Sequence, residues 1–172
     1  MSQERPGGTT FKGAPLTLVG PALAVGDSAP DFAVTANDLS EFTLSDSGGK
    51  VRIIGVVPSL DTPVCDQQTR RFNEEASGLG DGVAILTISA DLPFAQARFC
   101  GAAGIDRVQT LSDHRDVSFG TAYGVLIKEL RLLSRAIFVV DREGVIRHAE
   151  YVPEMTDHPA YDAALDAAKG CL

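Results

Sequence analysis

Two kinds of segment alternate through the middle of the chain. Residues 50–58 (KVRIIGVVP) and 82–91 (GVAILTISAD) are near-continuous β-branched and aliphatic runs, a pattern that predicts strands buried on both faces. Each run is followed by a stretch of helical character. The first, 63–78 (PVCDQQTRRFNEEASG), reads as a helix stopped by Gly78, and the second, 92–104 (LPFAQARFCGAAG), decays into Gly and Ala. A short strand at 108–111 and a short helix at 117–123 follow. Strands at 134–141 and 145–152 are then joined by Arg142-Glu143-Gly144 as a hairpin turn.

The last helix lies within PAYDAALDAAKG, where Ala160, Ala163, Ala164, Leu165, Ala167 and Ala168 supply a small-residue face. Near the start, 9–20 alternates around a Gly-Ala-Pro break and predicts a hairpin. Residues 21–46 hold two further short apolar runs between Pro and Gly, read as short strands or extended segments. Strand–helix–strand–helix, then a hairpin and a helix, indicates an α/β domain around one mixed sheet. No repeat, low-complexity tract or linker interrupts it, so residues 1–172 are expected to form one domain, with 1–20 as a hairpin extension.

Composition narrows the function classes. With 172 residues, 44% of them hydrophobic, the chain can bury a full core, built on aliphatics and eight Phe because Trp is absent. A net charge of −8 and scattered Lys and Arg argue against nucleic acid and anionic membranes as partners. No apolar run approaches the roughly 20 residues of a membrane helix. The start, MSQERPGGTTFKGAPLTL, lacks the charged and apolar regions of an export signal. Three cysteines, an odd number, do not suit a disulfide framework and point to a reducing cytoplasm.

One of those cysteines stands where a helix begins. In PSLDTPVCDQQTRRF, Thr62 suits the N-cap and Pro63 the first helical position, which puts Cys65 at N3 among unpaired backbone N–H groups. Such a position favours an anion and can bring a cysteine pKa from ~8.5 into the range of roughly 3.5–7.5, supplying the nucleophilic thiolate. The Thr62 hydroxyl is near enough in sequence to bond the sulfur or an incoming oxygen. A second reading stays open: Cys65 shares a helical face with Thr69, Phe72 and Ala76 and could be an inert buried thiol.

Cys100 lies near the end of the second helix beside Phe99, where a packing role is the default; Gly101 and Gly104 make that end easy to fray. Cys171 reads as an incidental terminal thiol. No C-x-x-C is present, and His114, His148 and His158 are isolated, so neither a thioredoxin-type redox pair nor a metal site is expected. Gly49-Lys50 lacks the rest of a phosphate loop. Arg135 opens an otherwise apolar strand, where a buried cation needs an anionic partner.

The stretches PSLDTPVCDQQTRRFN, ISADLPFAQARFCGAAG, AYGV, RAIFVVD and TFKGAPLTL resemble the thiol peroxidases, the atypical two-cysteine peroxiredoxins of bacteria. The pattern Pro-x-x-x-Thr-x-x-Cys at Pro58, Thr62 and Cys65 is the general peroxiredoxin signature. The resemblance implies a thioredoxin-like fold, a central mixed β-sheet flanked by helices with an N-terminal β-hairpin, usually as a homodimer. It makes Cys65 the thiol that reduces hydrogen peroxide and alkyl hydroperoxides, becoming a sulfenic acid. Cys100 becomes the resolving cysteine, closing an intramolecular disulfide that thioredoxin reduces, with no cofactor and no metal. Thr62 would bond the peroxide, Pro58 would shield the sulfenate, and Arg135 would stabilise the thiolate. Pro63 stands where many relatives have Gly, and the segment 125–135 is shorter than in some. A disulfide oxidoreductase and a non-catalytic redox sensor are the competing readings. Cys100 is expected not to reach Cys65 unless the helix end at 100–104 comes apart.

Overall fold

A computed structural model describes residues 2–172. The two buried runs become adjacent parallel strands, β5 (Val51–Val56) and β6 (Val83–Ser89), with β7 (Gln109–Ser112) parallel beside β6. Antiparallel strands extend this core on both sides. β9 (Ala136–Val140) pairs with β5 and β10 (Ile146–Tyr151) with β9, while β3 (Ala33–Ala36) and β4 (Glu41–Thr43) follow β7. The seven-stranded mixed sheet therefore runs β10-β9-β5-β6-β7-β3-β4.

Side chains alternate across this sheet, so one strand serves two cores. Val51, Ile53, Ile137 and Val139 meet one face, covered by α1 (Pro63–Leu79), α2 (Pro93–Ala103) and α4 (Tyr161–Lys169). Ile54, Val56, Ala136 and Phe138 meet the other, where α3 (Ser118–Ala122) contributes Phe119. On α4 the helical period selects Ala164, Leu165 and Ala168 for burial; Ala160 and Ala163, counted in its small-residue face, are exposed.

Three boundaries differ from expectation for identifiable reasons. Gly78 does not end α1: it is exposed and tolerated inside the last turn, and Gly80 at φ 76° is where the chain leaves the helix. The hairpin strands are β1 (Glu4–Phe11) and β2 (Ala14–Val19), so the first begins well before residue 9. Their turn is Lys12-Gly13, both at positive φ as a two-residue hairpin turn requires, and Ala14 and Pro15 already belong to β2. β8 (Leu126–Ile127), too short to carry a pattern, pairs with β2 and completes a separate three-stranded sheet.

The base of the hairpin is pinned by Arg5, which donates to the Gly20 carbonyl at 3.0 Å and to the Gly124 carbonyl. Gly124 sits at φ 68°, and a Cβ there would lie 1.9 Å from the Pro21 carbonyl oxygen and 2.7 Å from Arg5 Nη2. Gly124→Ala is therefore expected to destabilise the protein by about 2–4 kcal/mol, read as a lower urea midpoint.

Candidate active site

The site is assembled at the start of α1. Thr62 has extended backbone angles (φ −107°, ψ 148°) and its carbonyl accepts the Asp66 N–H at 3.0 Å, so it is the N-cap, with Pro63 at the first helical position. Its hydroxyl does not cap the helix but donates to the Ser59 carbonyl at 2.9 Å, which leaves the oxygen lone pairs as acceptors. The loop before it is anchored by Asp91 beyond the end of β6. That carboxylate accepts from Ser59 Oγ and the Leu60 N–H, both at 2.8 Å, and from Ser89 Oγ at 2.7 Å.

Cys65 follows at N3 and is fully buried, packed among Val57, Leu60 and Phe99. The second partner of its sulfur comes from the opposite side. Arg135, one residue before β9, is 1% exposed and its Nη2 lies 3.1 Å from Cys65 Sγ. Nη1 donates to Gln68 Oε1 at 2.9 Å, while Nε and Nη2 donate to the Met155 carbonyl at 3.1 and 3.0 Å. Among the described residues no carboxylate forms an ion pair with Arg135, whose Nη2 faces the Cys65 sulfur instead. A buried guanidinium is costly unless its donors are satisfied, and those of Arg135 are directed at Gln68, the Met155 carbonyl and Cys65 Sγ.

Above this pair lies a pocket of about 100 Å³ lined by Phe11, Pro58, Thr62, Pro63, Val64, Arg135, Met155 and Thr156. Its walls are almost wholly apolar, with Thr62, Arg135 and Thr156 as the polar residues. Four of the five residues singled out in the sequence, Pro58, Thr62, Cys65 and Arg135, thus meet at one place.

Cys100 does not join them. It lies in the last turn of α2 and faces a different cleft, of about 500 Å³, lined among others by Asn37, Ile105, Val108 and Thr110. Its sulfur is 3.4 Å from Thr110 Oγ1, and all three cysteines are free thiols. Phe99 packs against both the Cys65 cluster and the cluster that includes Cys100. Cys171 is remote from the site, and burial pushes its thiol pKa up. Arg70 and Arg71 pair with Asp66, Glu75 and Asp162 on the surface.

Gln68 and Met155, which hold Arg135, were not singled out from the sequence. Gln68 stands three residues after Cys65, on the same side of α1, and that spacing was a usable signal. Met155 contributes a backbone carbonyl, which no side-chain pattern announces.

A buried cysteine at a Thr-Pro helix start, faced by an arginine on the neighbouring sheet, belongs with the peroxiredoxin class of thioredoxin-like folds. The Redoxin family model matches residues 24–165, and the chain belongs to that family. It is 65% identical over 163 residues to thiol peroxidase of Bacillus subtilis, covering 95% of this chain and 97% of that protein. Among solved structures, a peroxiredoxin-like protein from Aquifex aeolicus superposes with a TM-score of 0.90 at 41% identity, covering 99% of each chain. Thiol peroxidase from Chromobacterium violaceum shares the fold, with a TM-score of 0.84 at 22% identity over 94% of this chain and 95% of that one. The chain is thus an enzyme, a peroxidase of peroxiredoxin type and an oxidoreductase. No helix among the described residues is long and apolar enough to cross a membrane.

Proposed function

We propose that the protein reduces hydrogen peroxide and alkyl hydroperoxides at Cys65 and is regenerated by thioredoxin through a Cys65–Cys100 disulfide. The observation that carries this reading is Arg135 Nη2 standing 3.1 Å from the buried sulfur at the helix start. The Cys65 thiolate attacks the terminal oxygen of the peroxide. The O–O bond breaks, the oxygen bonded to sulfur keeps its proton as a sulfenic acid, and the departing alkoxide or hydroxide takes a proton from water. Arg135 offsets the negative charge as it moves from sulfur to oxygen. Thr62, whose own O–H is directed at the Ser59 carbonyl, accepts the peroxide O–H, and the buried Pro58 keeps further oxidant from the sulfenate. The apolar walls suit an alkyl group.

Resolution follows when the Cys100 thiolate attacks the sulfenic sulfur, displacing hydroxide that leaves as water and forming the disulfide. Two electrons from the thioredoxin dithiol restore both thiols. Such a cycle needs a reducing compartment, and we place it in the cytoplasm. The protein works as a homodimer in this reading; Leu92 and Phe94, 55% and 68% exposed at the start of α2, offer apolar surface for it. Light scattering of the purified protein checks the dimer.

Non-reducing peptide mapping of peroxide-treated protein tests the nucleophile and resolver together. A Cys65–Cys100 peptide is expected; a Cys65–Cys171 peptide or a disulfide-linked dimer overturns the assignment of Cys100. Arg135→Met, which keeps an unbranched side chain and removes the charge, is expected to slow Cys65 oxidation by about 10²–10³-fold in rapid-quench experiments.

A further inference from the structure

The N-terminal hairpin meets residues 153–156 through backbone bonds of Thr10, and its turn is fastened there by one carboxylate. Lys12 and Gly13, at φ 49° and 82°, present successive N–H groups, an arrangement that forms an anion-binding concavity. Glu154 fills it: Oε1 accepts the Lys12 N–H at 2.9 Å and Oε2 the Gly13 N–H at 3.1 Å. The Thr10 hydroxyl donates to Oε2 at 2.5 Å, and the Thr156 hydroxyl and N–H donate to Oε1 at 3.0 and 3.3 Å. The Thr10 hydroxyl and the turn N–H groups hold this carboxyl down at about 2, so it is ionised at neutral pH.

The next residue in sequence is the link to the chemistry. The Met155 N–H donates to the Thr10 carbonyl at 2.9 Å, and the Thr10 N–H donates to the Pro153 carbonyl at 2.8 Å. The Met155 carbonyl in turn accepts from Arg135 Nε and from Nη2, the nitrogen that also reaches Cys65. Phe11, beside the turn, and Thr156 line the pocket over Arg135.

We propose that Glu154 is a positioning residue for peroxide reduction: it locks the hairpin turn onto residues 153–156, and so fixes the Met155 carbonyl that aims Arg135 at Cys65. The same lock keeps Phe11 as a wall of the pocket. This rests on the Cys65 reading above. The carboxylate touches no reacting atom and acts through Met155 and Arg135.

The test is a double-mutant cycle on the single-turnover rate of Cys65 oxidation. Glu154→Gln keeps the length but sets an amide N–H₂ against N–H donors, and it is expected to slow oxidation roughly ten- to a hundredfold. Glu154→Asp, which restores the charge, should recover part of that loss. In an Arg135→Lys background, where no guanidinium remains to be aimed, Glu154→Gln should add less than about twofold. Thr10→Val, a milder change in the same lock, is expected to slow oxidation about two- to fivefold and carries the test should Glu154→Gln not fold. Oxidation within twofold of wild type in the folded variants, or an undiminished loss in the Arg135→Lys background, overturns the proposal. Cys65→Ser run in parallel separates the two layers. Peroxide consumption by that variant would remove the underlying reading, whereas an inert Cys65→Ser beside an unaffected Glu154→Gln would remove the role of Glu154 alone.

Discussion

Serine in place of Cys65 is expected to abolish peroxide consumption, in a thioredoxin-coupled assay and in a single turnover alike. The replacement is nearly isosteric and leaves Thr62, Pro63 and the start of α1 as they are, so the pocket persists. What disappears is the nucleophile. A serine hydroxyl stays protonated in this setting and has no general base beside it: its one charged neighbour is Arg135, a donor only. The proposed mechanism leaves no second thiol at the pocket, because Cys100 faces another cleft and Cys171 is remote. The substitution also replaces the sulfur beside the buried guanidinium by a smaller, neutral hydroxyl, so a loss of stability is expected as well. Circular dichroism and a urea titration separate that effect from the chemical one. Retained activity in folded Cys65→Ser protein would sink the assignment.

Much of this site was legible in the sequence because it is local. Pro58, Thr62, Pro63 and Cys65 fall within eight residues, and the rules that start a helix place the thiol without tertiary information. Arg135 was legible only as an anomaly, a cation at the head of an apolar strand. Its partner became visible once antiparallel pairing of β9 with β5 brought Arg135 toward the end of β5, where the loop to Cys65 begins. Gln68 carried a usable signal in its helical spacing. Met155 carried none, since it acts through a backbone carbonyl delivered by the chain after β10.

The misread boundaries have equally physical origins. Gly78 and Gly80 look alike in sequence, yet only the second takes a positive φ, which glycine tolerates and which turns the chain out of the helix. β8 exists because β2 offers it an edge, not because two residues carry a strand pattern. Where the hairpin begins was likewise set by distant contacts, those of Arg5 with Gly20 and Gly124, rather than by local alternation.

Cys100→Ser is expected to keep one round of peroxide reduction and lose all thioredoxin-driven turnover. The variant should fold normally, because a serine hydroxyl can replace the contact of Cys100 with Thr110. Cys65 then reacts once, and its sulfenic acid accumulates where a sulfenate-specific dione captures it; peroxide consumption stops after the first equivalent and no NADPH is oxidised. Sustained turnover would show that another thiol resolves. The geometry adds a second expectation for the unaltered enzyme. Cys65 is fully buried and Cys100 faces a different cleft, with Phe99 packed against the clusters of both, so closing the proposed disulfide is expected to require that the last turn of α2 opens. That turn is held by the Cys100 carbonyl, which accepts the N–H groups of Gly104 and Ile105. Two side chains of α1 hold the chain after it. Asn73 Oδ1 accepts the Asp106 and Arg107 N–H groups at 3.2 and 2.8 Å, and Arg70 donates to the Ala103 carbonyl at 3.3 Å. Opening this segment breaks few bonds and frees Ile105 as its one buried core side chain, a local event rather than global unfolding. Disulfide formation should therefore be slower than sulfenate formation and independent of peroxide concentration. Asn73→Ala, which removes the strongest tether, should accelerate it by several-fold while leaving the oxidation step unchanged. Quenched-flow mass spectrometry resolves the two steps, and an unchanged closure rate in Asn73→Ala would show that the end of α2 is not what limits the approach of Cys100.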